Sequence, residues 1–193
     1  MAAAKGELRR SMRRMRESMA PKEAAGASAA IARELVGEPT VRAALARGGF
    51  VALYAAMRGE VDTAPIAAAL ATEGVPLAYP RVTLGQRWLT FHRITSPAEL
   101  APATFDIPEP PATAPVVPAR RIAVFLVPGL AFDRQGNRLG WGMGHYDTTL
   151  SNNLEALRVG LAYEAQLVDQ VPVGDHDLPM HLIVTERGVV RVP

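Results

Sequence analysis

The side chains and spacings best suited to chemistry lie in one run, from Val127 to Asp147. Nine residues of that run contain four glycines, which are Gly136, Gly140, Gly142 and Gly144. Because glycine lacks a side chain, successive backbone N–H groups of such a loop could approach a polyanion. A helix predicted to begin at His145 would add unpaired N–H groups and a favourable dipole. The run predicts a phosphate site, although the glycine spacing alone also fits a flexible surface loop.

The neighbours of the glycines favour the phosphate interpretation. The run matches neither the dinucleotide fingerprint G-x-G-x-x-G nor the Walker sequence G-x-x-x-x-G-K-[ST], which excludes the two commonest phosphate loops. Arg138 could bind phosphate in a fork, and Asp147 is a candidate magnesium ligand. Trp141 and Tyr146 add aromatic surface. A surface salt bridge is the alternative role of Arg138, and helix capping is that of Asp147.

The elements that position this run are predicted from apolar periodicity and from glycine and proline. Helices are predicted at Lys5–Met19, Pro21–Leu35 and Val41–Arg47, and from Asp62 or Thr63 to Gly74. Strands are predicted at Phe50–Ala55, Val75–Val82, Trp88–Ile94, Ile122–Val127 and Arg158–Ala162, with a last strand or hairpin at His181–Val192. The proline-rich stretch Ser96–Arg120 predicts an extended surface excursion. This alternation predicts a single-domain α/β fold over residues 1–193, with three layers and a mainly parallel sheet that has helices on both faces.

Composition limits the class of protein. The chain of 193 residues is 49% hydrophobic and 21% charged, which suits one compact soluble domain. It has no cysteine, so disulfides, thiolate metal sites and a thiol nucleophile are excluded. No stretch approaches the roughly 20 consecutive apolar residues of a membrane-spanning helix. We expect a cytoplasmic protein.

The amino end is a local positive pole. Its first 16 residues hold one acid, Glu7, against six basic residues, which are Lys5, Arg9, Arg10, Arg13, Arg14 and Arg16. The apolar stripe of the predicted helix consists of Leu8, Met12, Met15 and Met19. A basic amphipathic start is compatible with a phosphate contact, with a solvated helix face, with a transit peptide or with nucleic-acid binding.

The glycine-rich run also resembles a known family. Segments Val127–Asp133 and Gly136–Asp147 are similar to the signature of the 5-formyltetrahydrofolate cyclo-ligase family, also called methenyltetrahydrofolate synthetase. Further segments fall in the family's order: Lys5-x-x-Leu8-Arg9, Tyr54–Thr63, Tyr79–Arg81, Phe105–Pro110, Gln166, Pro172, His176-Asp177 and Ile183–Glu186. Nearly the whole chain is covered, so the basic amino end is better interpreted as part of the site than as a removable presequence.

The resemblance implies a reaction in which 5-formyltetrahydrofolate and ATP, with Mg²⁺, give 5,10-methenyltetrahydrofolate, ADP and phosphate. It implies that Lys5, Arg138 and Tyr146 act in catalysis and that Asp147 holds Mg²⁺. The implied ATP-binding residues are Lys5, Arg9, Arg138, Leu139, Gly140, Trp141, Gly142, Met143, Gly144, His145 and Tyr146. The implied folate-binding residues are Met57, Glu60, Phe105 and Tyr146, with Tyr79 and Arg81 as further candidates. Core packing is the alternative role of Met57, Phe105, Tyr79 and Tyr146. An exposed loop acid is the alternative role of Glu60.

The sequence departs from the family pattern at three positions. His145 and Trp141 stand where tyrosine is common, and Thr148 stands where an arginine often follows the aspartate. Because that positive charge is missing, the alternative that the protein is a non-catalytic, folate-binding relative of the family stays open. A nucleic-acid-binding protein and a sugar-phosphate or coenzyme-A enzyme also stay open at this point. We expect a small-molecule substrate, no nucleic acid, no membrane, and a monomer or weak dimer.

Overall fold

The computed structural model describes residues 2–103, 107–174 and 177–193. Its helices are α1 (Ala2–Ser18), α2 (Pro21–Gly37), α3 (Pro39–Ala46), α4 (Ala64–Thr72) and α5 (His145–Ser151). Its strands are β1 (Phe50–Ala52), β2 (Leu77–Val82), β3 (Leu89–Ile94), β4 (Ala101–Pro102), β5 (Pro108–Glu109), β6 (Val116–Val117), β7 (Ile122–Pro128), β8 (Ala131–Phe132), β9 (Arg138–Leu139), β10 (Leu157–Leu161), β11 (Leu182–Thr185) and β12 (Gly188–Arg191). None of these helices combines the length and the apolar character that crossing a membrane requires.

The described residues form a central sheet with the strand order β12-β11-β10-β7-β1-β2-β3-β6. The five inner strands, from β11 to β2 in that order, run parallel to one another. Antiparallel pairs flank them, with β12 on one side and β3 with β6 on the other. The predicted mainly parallel sheet is confirmed. The proline-rich stretch supplies the short edge strand β6, where proline does not interrupt an interior ladder.

Strand β7 shows how the two faces of the sheet are covered. Val124 and Leu126 point to one face, where they join a core formed with α2, α3 and α4. Phe125 and Val127 point to the other face, where the core includes Leu150 of α5. Because successive strand residues alternate in direction, a continuous apolar run fills both layers. The predicted helices on both faces are confirmed, with a single short helix on the second face within the described chain.

The second face is completed by a small hairpin, β8–β9, within the stretch predicted as loop. Its Phe132 is fully buried in that core. A Cβ placed on Gly160 of β10 would lie 2.5 Å from the Phe132 ring, so only glycine leaves room for it. Burying such a ring contributes about 1.5–3 kcal/mol. The hairpin is thereby fixed against the sheet and carries the glycine-rich run beyond the end of β7.

Helix α1 lies on this hairpin rather than on the sheet. Its apolar residues Leu8 and Met12 pack against Ala131 and Leu139 of the hairpin and against Val171. Met19, just beyond the helix, packs against the main core. The predicted apolar stripe is therefore the docking face of α1, and it sets the basic residues beside the glycine-rich run.

Candidate functional site

A cavity of about 970 Å³ lies at the carboxyl ends of the parallel strands β1, β2 and β7. Crevices at such strand ends are the usual ligand sites of open α/β sheets. The cavity wall brings together these predicted site residues: Lys5, Arg9, Met57, Glu60, Arg138, Leu139, Gly140, Trp141, Gly142, Met143, Gly144, His145, Tyr146 and Asp147. The predicted residue Phe105 falls outside the described residues.

One end of the cavity is basic. Lys5 Nζ lies 2.7 Å from Asp177 Oδ2, and Arg138 Nη2 lies 2.7 Å from Asp147 Oδ1. Arg9 Nε donates to the carbonyl oxygen of Gly140 at 2.9 Å, which ties α1 to the glycine-rich run. We call Lys5, Arg9, Arg138, Gly140, Gly142 and Gly144 the phosphate end, after the ligand that the glycine-rich run predicts there. Arg138 is 8% exposed, so its alternative role in an exposed surface salt bridge is wrong.

Glycine is required in this loop for two different reasons. Gly142 has a φ of 103° and Gly144 a φ of 72°, in the left-handed region that L side chains rarely adopt. A Cβ on Gly140 would lie 2.7 Å from Arg138 Nη1, so a side chain there would displace the guanidinium. The backbone and its cations are thus fitted to each other, and a freely flexible glycine loop does not explain this fit.

Another part of the cavity wall is built around a buried carboxylate. Glu60 is 9% exposed, so its alternative role as an exposed loop acid is wrong. Its Oε1 accepts from Trp141 Nε1 at 3.0 Å, and its Oε2 accepts from the backbone N–H of Met57 at 3.2 Å. Burial raises the pKa of Glu60, against the opposing effects of the Trp141 N–H and the Arg16 guanidinium. We call Glu60, Met57, Trp141 and Arg16 the folate end, after the ligand that the family resemblance predicts for Glu60 and Met57.

The turn before Glu60 carries backbone strain. Arg58 has a φ of 49°, which places a non-glycine residue in the left-handed region. This turn brings the Arg58 Cζ to 5.3 Å from the centroid of the Trp141 ring. Arg13 and Arg16 of α1 contact the same ring at 5.4 and 5.3 Å. Cations over an aromatic face attract it, so these guanidinium groups fix the indole and direct its N–H to Glu60.

Tyr146 lies between the two ends. Arg138 Cζ is 5.6 Å from the centroid of its ring. Its hydroxyl is buried and has no hydrogen-bond partner within the described residues. Burial, followed by the Glu60 charge, raises the pKa of Tyr146, so the hydroxyl remains a donor at neutral pH. Buried hydroxyls are normally paired, which makes this one a candidate ligand contact.

Asp147 is the predicted magnesium ligand. The described residues contain no group of three or more His, Cys, Asp or Glu side chains arranged to hold a metal. Asp147 lies in the first turn of α5, whose N-cap Gly144 makes no side-chain capping bond. A lone carboxylate beside cations fits Mg²⁺ only when phosphate oxygens and waters complete the octahedron, which is the usual arrangement at nucleotide sites.

Other candidates lie elsewhere. Tyr79 is buried in the core on the face covered by α2, α3 and α4, so core packing is its role. Arg81 donates to the Pro110 carbonyl and lies 3.8 Å from Glu109. Asp133 is fully buried and accepts from the backbone N–H groups of Gln135, Asn137 and Val171, so it stabilises the turn that follows it. His145 Nδ1 lies 3.3 Å from the Arg87 carbonyl, at the cavity rim.

Sequence reasoning missed four residues of the site. Arg87, Glu109 and Asp177 line the cavity, and Arg16 is buried behind Glu60. Asp177 follows His176 in the family-like pattern, so its position was the signal that could have found it. Nothing in the spacing separates Arg16 from the other five basic residues at the amino end.

Comparison with known proteins supports the same family. The sequence model of the 5-formyltetrahydrofolate cyclo-ligase family matches residues 1–186. The 5-formyltetrahydrofolate cyclo-ligase of Escherichia coli (strain K12) is 34% identical over 146 residues, which are 72% of this chain and 79% of that protein. The solved 5,10-methenyltetrahydrofolate synthetase of Aquifex aeolicus is 32% identical with a TM-score of 0.82, and the match covers 97% of this chain and 92% of that one.

A second solved structure agrees in fold. The 5,10-methenyltetrahydrofolate synthetase of Mycoplasma pneumoniae has a TM-score of 0.76 at 22% identity, over 94% of this chain and 98% of that one. The family match over almost the full length, together with a cavity that joins the predicted residues, establishes that this chain belongs to the 5-formyltetrahydrofolate cyclo-ligase family.

Proposed function

We propose that this protein is a 5-formyltetrahydrofolate cyclo-ligase that uses ATP to convert 5-formyltetrahydrofolate to 5,10-methenyltetrahydrofolate, with release of ADP and phosphate. The observation that carries the proposal is that one cavity joins a basic glycine-rich end to a buried carboxylate end. A nucleotide and a substrate with N–H donors can therefore lie against each other in one cavity.

The phosphate end is proposed to hold the triphosphate. Lys5, Arg9 and Arg138 supply three positive charges around a loop that has glycine at positions 140, 142 and 144. Arginine binds phosphate in a fork and lysine binds it as a point charge. Asp177, the carboxylate partner of Lys5, is 24% exposed, so phosphate oxygens can replace it on the lysine.

The folate end is proposed to hold the reduced pterin. A carboxylate with two oxygens suits the adjacent amino and ring N–H donors of that ring system. Met57 is proposed to supply apolar wall. The Tyr146 hydroxyl, which has no hydrogen-bond partner among the described residues, is proposed to donate to a substrate oxygen. A contact from Phe105 stays a prediction.

The proposed chemistry needs no covalent protein nucleophile. The formyl oxygen attacks the γ-phosphorus, the bond to the β-phosphate oxygen breaks, and ADP leaves. N10 then adds to the activated formyl carbon, loses its proton, and the C–O bond to phosphate breaks. Such transfers depend on alignment and on neutralising charge as it develops. Arg138, held between Pro128 O and Asp147, is proposed to stabilise the transferring phosphoryl group.

Asp147 is proposed to hold Mg²⁺ together with phosphate oxygens and water. When bound, the ion would neutralise negative charge on the nucleotide. Asp147 also orients Arg138 through their 2.7 Å contact, so its loss should impair both functions.

The remaining expectations concern the surroundings of the reaction. A cytoplasmic location, a monomeric or weakly dimeric state, and small-molecule ligands rather than nucleic acid stay predictions. Size-exclusion chromatography with light scattering tests the oligomeric state. A salt-dependent gel shift with DNA or RNA would contradict the prediction that the protein does not bind nucleic acid.

The decisive experiment follows the near-ultraviolet absorbance of the methenyl product in purified protein with 5-formyltetrahydrofolate, ATP and Mg²⁺. We expect the band to grow only when ATP is present, with stoichiometric release of ADP. Asp147→Asn should abolish most of the rate. Asp169→Asn, at an exposed aspartate, is the matched control. Folate binding without product formation would favour a non-catalytic relative. The absence of both folate binding and product formation would refute the proposal.

A further inference from the structure

Arg16 occupies an unusual position for a basic residue of an amphipathic helix. It lies near the end of α1 and is 3% exposed, while Arg13 and Arg14 beside it are exposed. Its Nη1 makes a long contact with the carbonyl oxygen of Gly129, at 3.4 Å. Its Nε and Nη2 are buried without a hydrogen-bond partner in the described part of the chain. This burial is costly for folding, because a desolvated guanidinium normally has its donors satisfied.

The charge that Arg16 faces is Glu60. Its Nη1 lies 3.9 Å from Glu60 Oε1, and both side chains are almost fully buried. The same Glu60 oxygen accepts from Trp141, whose ring Arg16 also contacts. Arg16 is absent from the described residues that line the cavity. It can therefore influence a ligand only through Glu60 and Trp141.

Other groups around Glu60 do not replace this charge. Arg58 is exposed to solvent, which screens its effect. Tyr54 and Tyr146 face Glu60 as neutral hydroxyls, since burial raises the pKa of both. Tyr163 donates to the backbone carbonyl of Glu60, at 3.2 Å, and not to its carboxylate. Arg16 is thus the buried cation among the described neighbours of Glu60.

We propose that Arg16 is a positioning residue, which holds Glu60 ionised and aimed at the N–H donors of the substrate. The inference rests on the proposed function, since it assigns Glu60 to the reduced pterin. An opposite charge within about 4–6 Å favours the ionised carboxylate and counteracts its desolvation. Without Arg16, burial would protonate Glu60 at a higher pH, and a protonated carboxyl loses one of its acceptor positions.

The test compares Arg16→Met, Arg16→Lys and Glu60→Gln, with Arg14→Met as the matched control on the exposed face of the same helix. Arg16→Met should raise the KM for 5-formyltetrahydrofolate about tenfold and move the acid limb of the pH profile about one unit upward. Arg16→Lys retains the charge, so its acid limb should stay at the wild-type pH. Arg14→Met should match wild type in both measurements.

The double variant Arg16→Met with Glu60→Gln decides whether Arg16 acts through Glu60. We expect no further rise in the folate KM beyond that of Glu60→Gln alone, and no acid limb from this carboxyl. A rise of equal size in both backgrounds would overturn the proposal, as would an unshifted acid limb in Arg16→Met. A shifted limb in Arg16→Lys would do so too, because its charge is kept.

Calorimetric titration with 5-formyltetrahydrofolate over the same pH range separates this inference from the proposed reaction. If wild type binds folate but forms no product, the reaction is refuted, and the Kd of the same variants still decides the role of Arg16. Circular dichroism and thermal unfolding of each variant identify any that fail to fold. If Arg16→Met does not fold, the pH profile of Arg16→Lys and the effect of Arg16→Met in the Glu60→Gln background still test the role of Arg16.

Discussion

The two ends of the cavity hold their charges in different ways. At the phosphate end, Lys5 and Asp177 have side chains that are 20% and 24% exposed, and they lie in direct contact. At the folate end, the side chains of Arg16 and Glu60 are 1% and 5% exposed and lie 3.9 Å apart. Partly exposed ion pairs contribute little and exchange partners readily, whereas buried charges are costly and fixed. The phosphate end is suited to exchanging Asp177 for a polyanion, and the folate end is suited to keeping Glu60 available to N–H donors.

The largest expected effect comes from removing the buried cation of the phosphate end, Arg138. Arg138→Met should lower kcat about 100- to 1,000-fold, because a preorganised charge on the transferring group is lost. Steady-state kinetics with both substrates saturating measures this. Arg134→Met, at an exposed arginine of the same hairpin, is the control. A kcat close to that of wild type would place the transferring phosphoryl group elsewhere.

Glu60→Gln tests the folate end separately, because it removes the carboxylate charge there. The folate KM should rise roughly 10- to 100-fold, as expected for losing a hydrogen bond to a charged acceptor. The KM for ATP should stay near the wild-type value, since Glu60 pairs with Arg16 and not with a cation of the phosphate end. Glu155→Gln, at an exposed acid, serves as the control. Equal increases in both KM values would contradict the division of the cavity into two ends.

The phosphate end is disturbed through its backbone by Gly142→Ala. The added Cβ would lie 3.3 Å from Arg9 Nη2 at a φ of 103°, so both the loop and the cation must shift. We expect the KM for ATP to rise about tenfold and stability to fall by about 1–2 kcal/mol. Gly26→Ala in α2, where a Cβ meets nothing within 4 Å, should instead be neutral or stabilising by about 0.5–1 kcal/mol. An unchanged KM for ATP would show that the loop does not contact the nucleotide.

The smallest effect is expected at an ion pair remote from both ends. Arg42 and Glu73 pair between α3 and the end of α4, with side chains 49% and 37% exposed. Arg42→Met should change the free energy of unfolding by less than about 1 kcal/mol, measured by urea denaturation. Kinetic parameters should not change. A larger loss would mean that partly exposed pairs in this protein are stronger than the comparison assumes.

Much of the fold could be predicted because its signals are local. The apolar stripe of α1 and the continuous apolar run of β7 each determine an element without knowledge of the rest. The hairpin β8–β9 was missed because two-residue strands have no measurable periodicity. Its existence depends on contacts distant in sequence, such as Phe132 packing beside Gly160.

The site residues also differ in whether their signals are local or depend on contacts distant in sequence. The glycines, Arg138 and Asp147 are adjacent in sequence, so their spacing revealed them together. Arg16 and Glu60 come together only after α1 docks on the hairpin, and the sequence offers no sign that one arginine among the basic residues of α1 is buried. Cavity residues contributed by distant segments, such as Glu109 and Arg87, are hidden for the same reason.

Helix α1 spans both ends of the cavity. Arg9 at the phosphate end and Arg16 behind the folate end are seven residues apart, about 10 Å along a rigid helix axis. A ligand that holds α1 more firmly in place at one end would thereby also improve the alignment of the α1 side chain at the other end. Such coupling is reciprocal by thermodynamic necessity, so that if nucleotide strengthens folate binding, folate strengthens nucleotide binding by the same factor. The helix is then a shared support, and any coupling between the two substrates that passes through it acts equally in both directions.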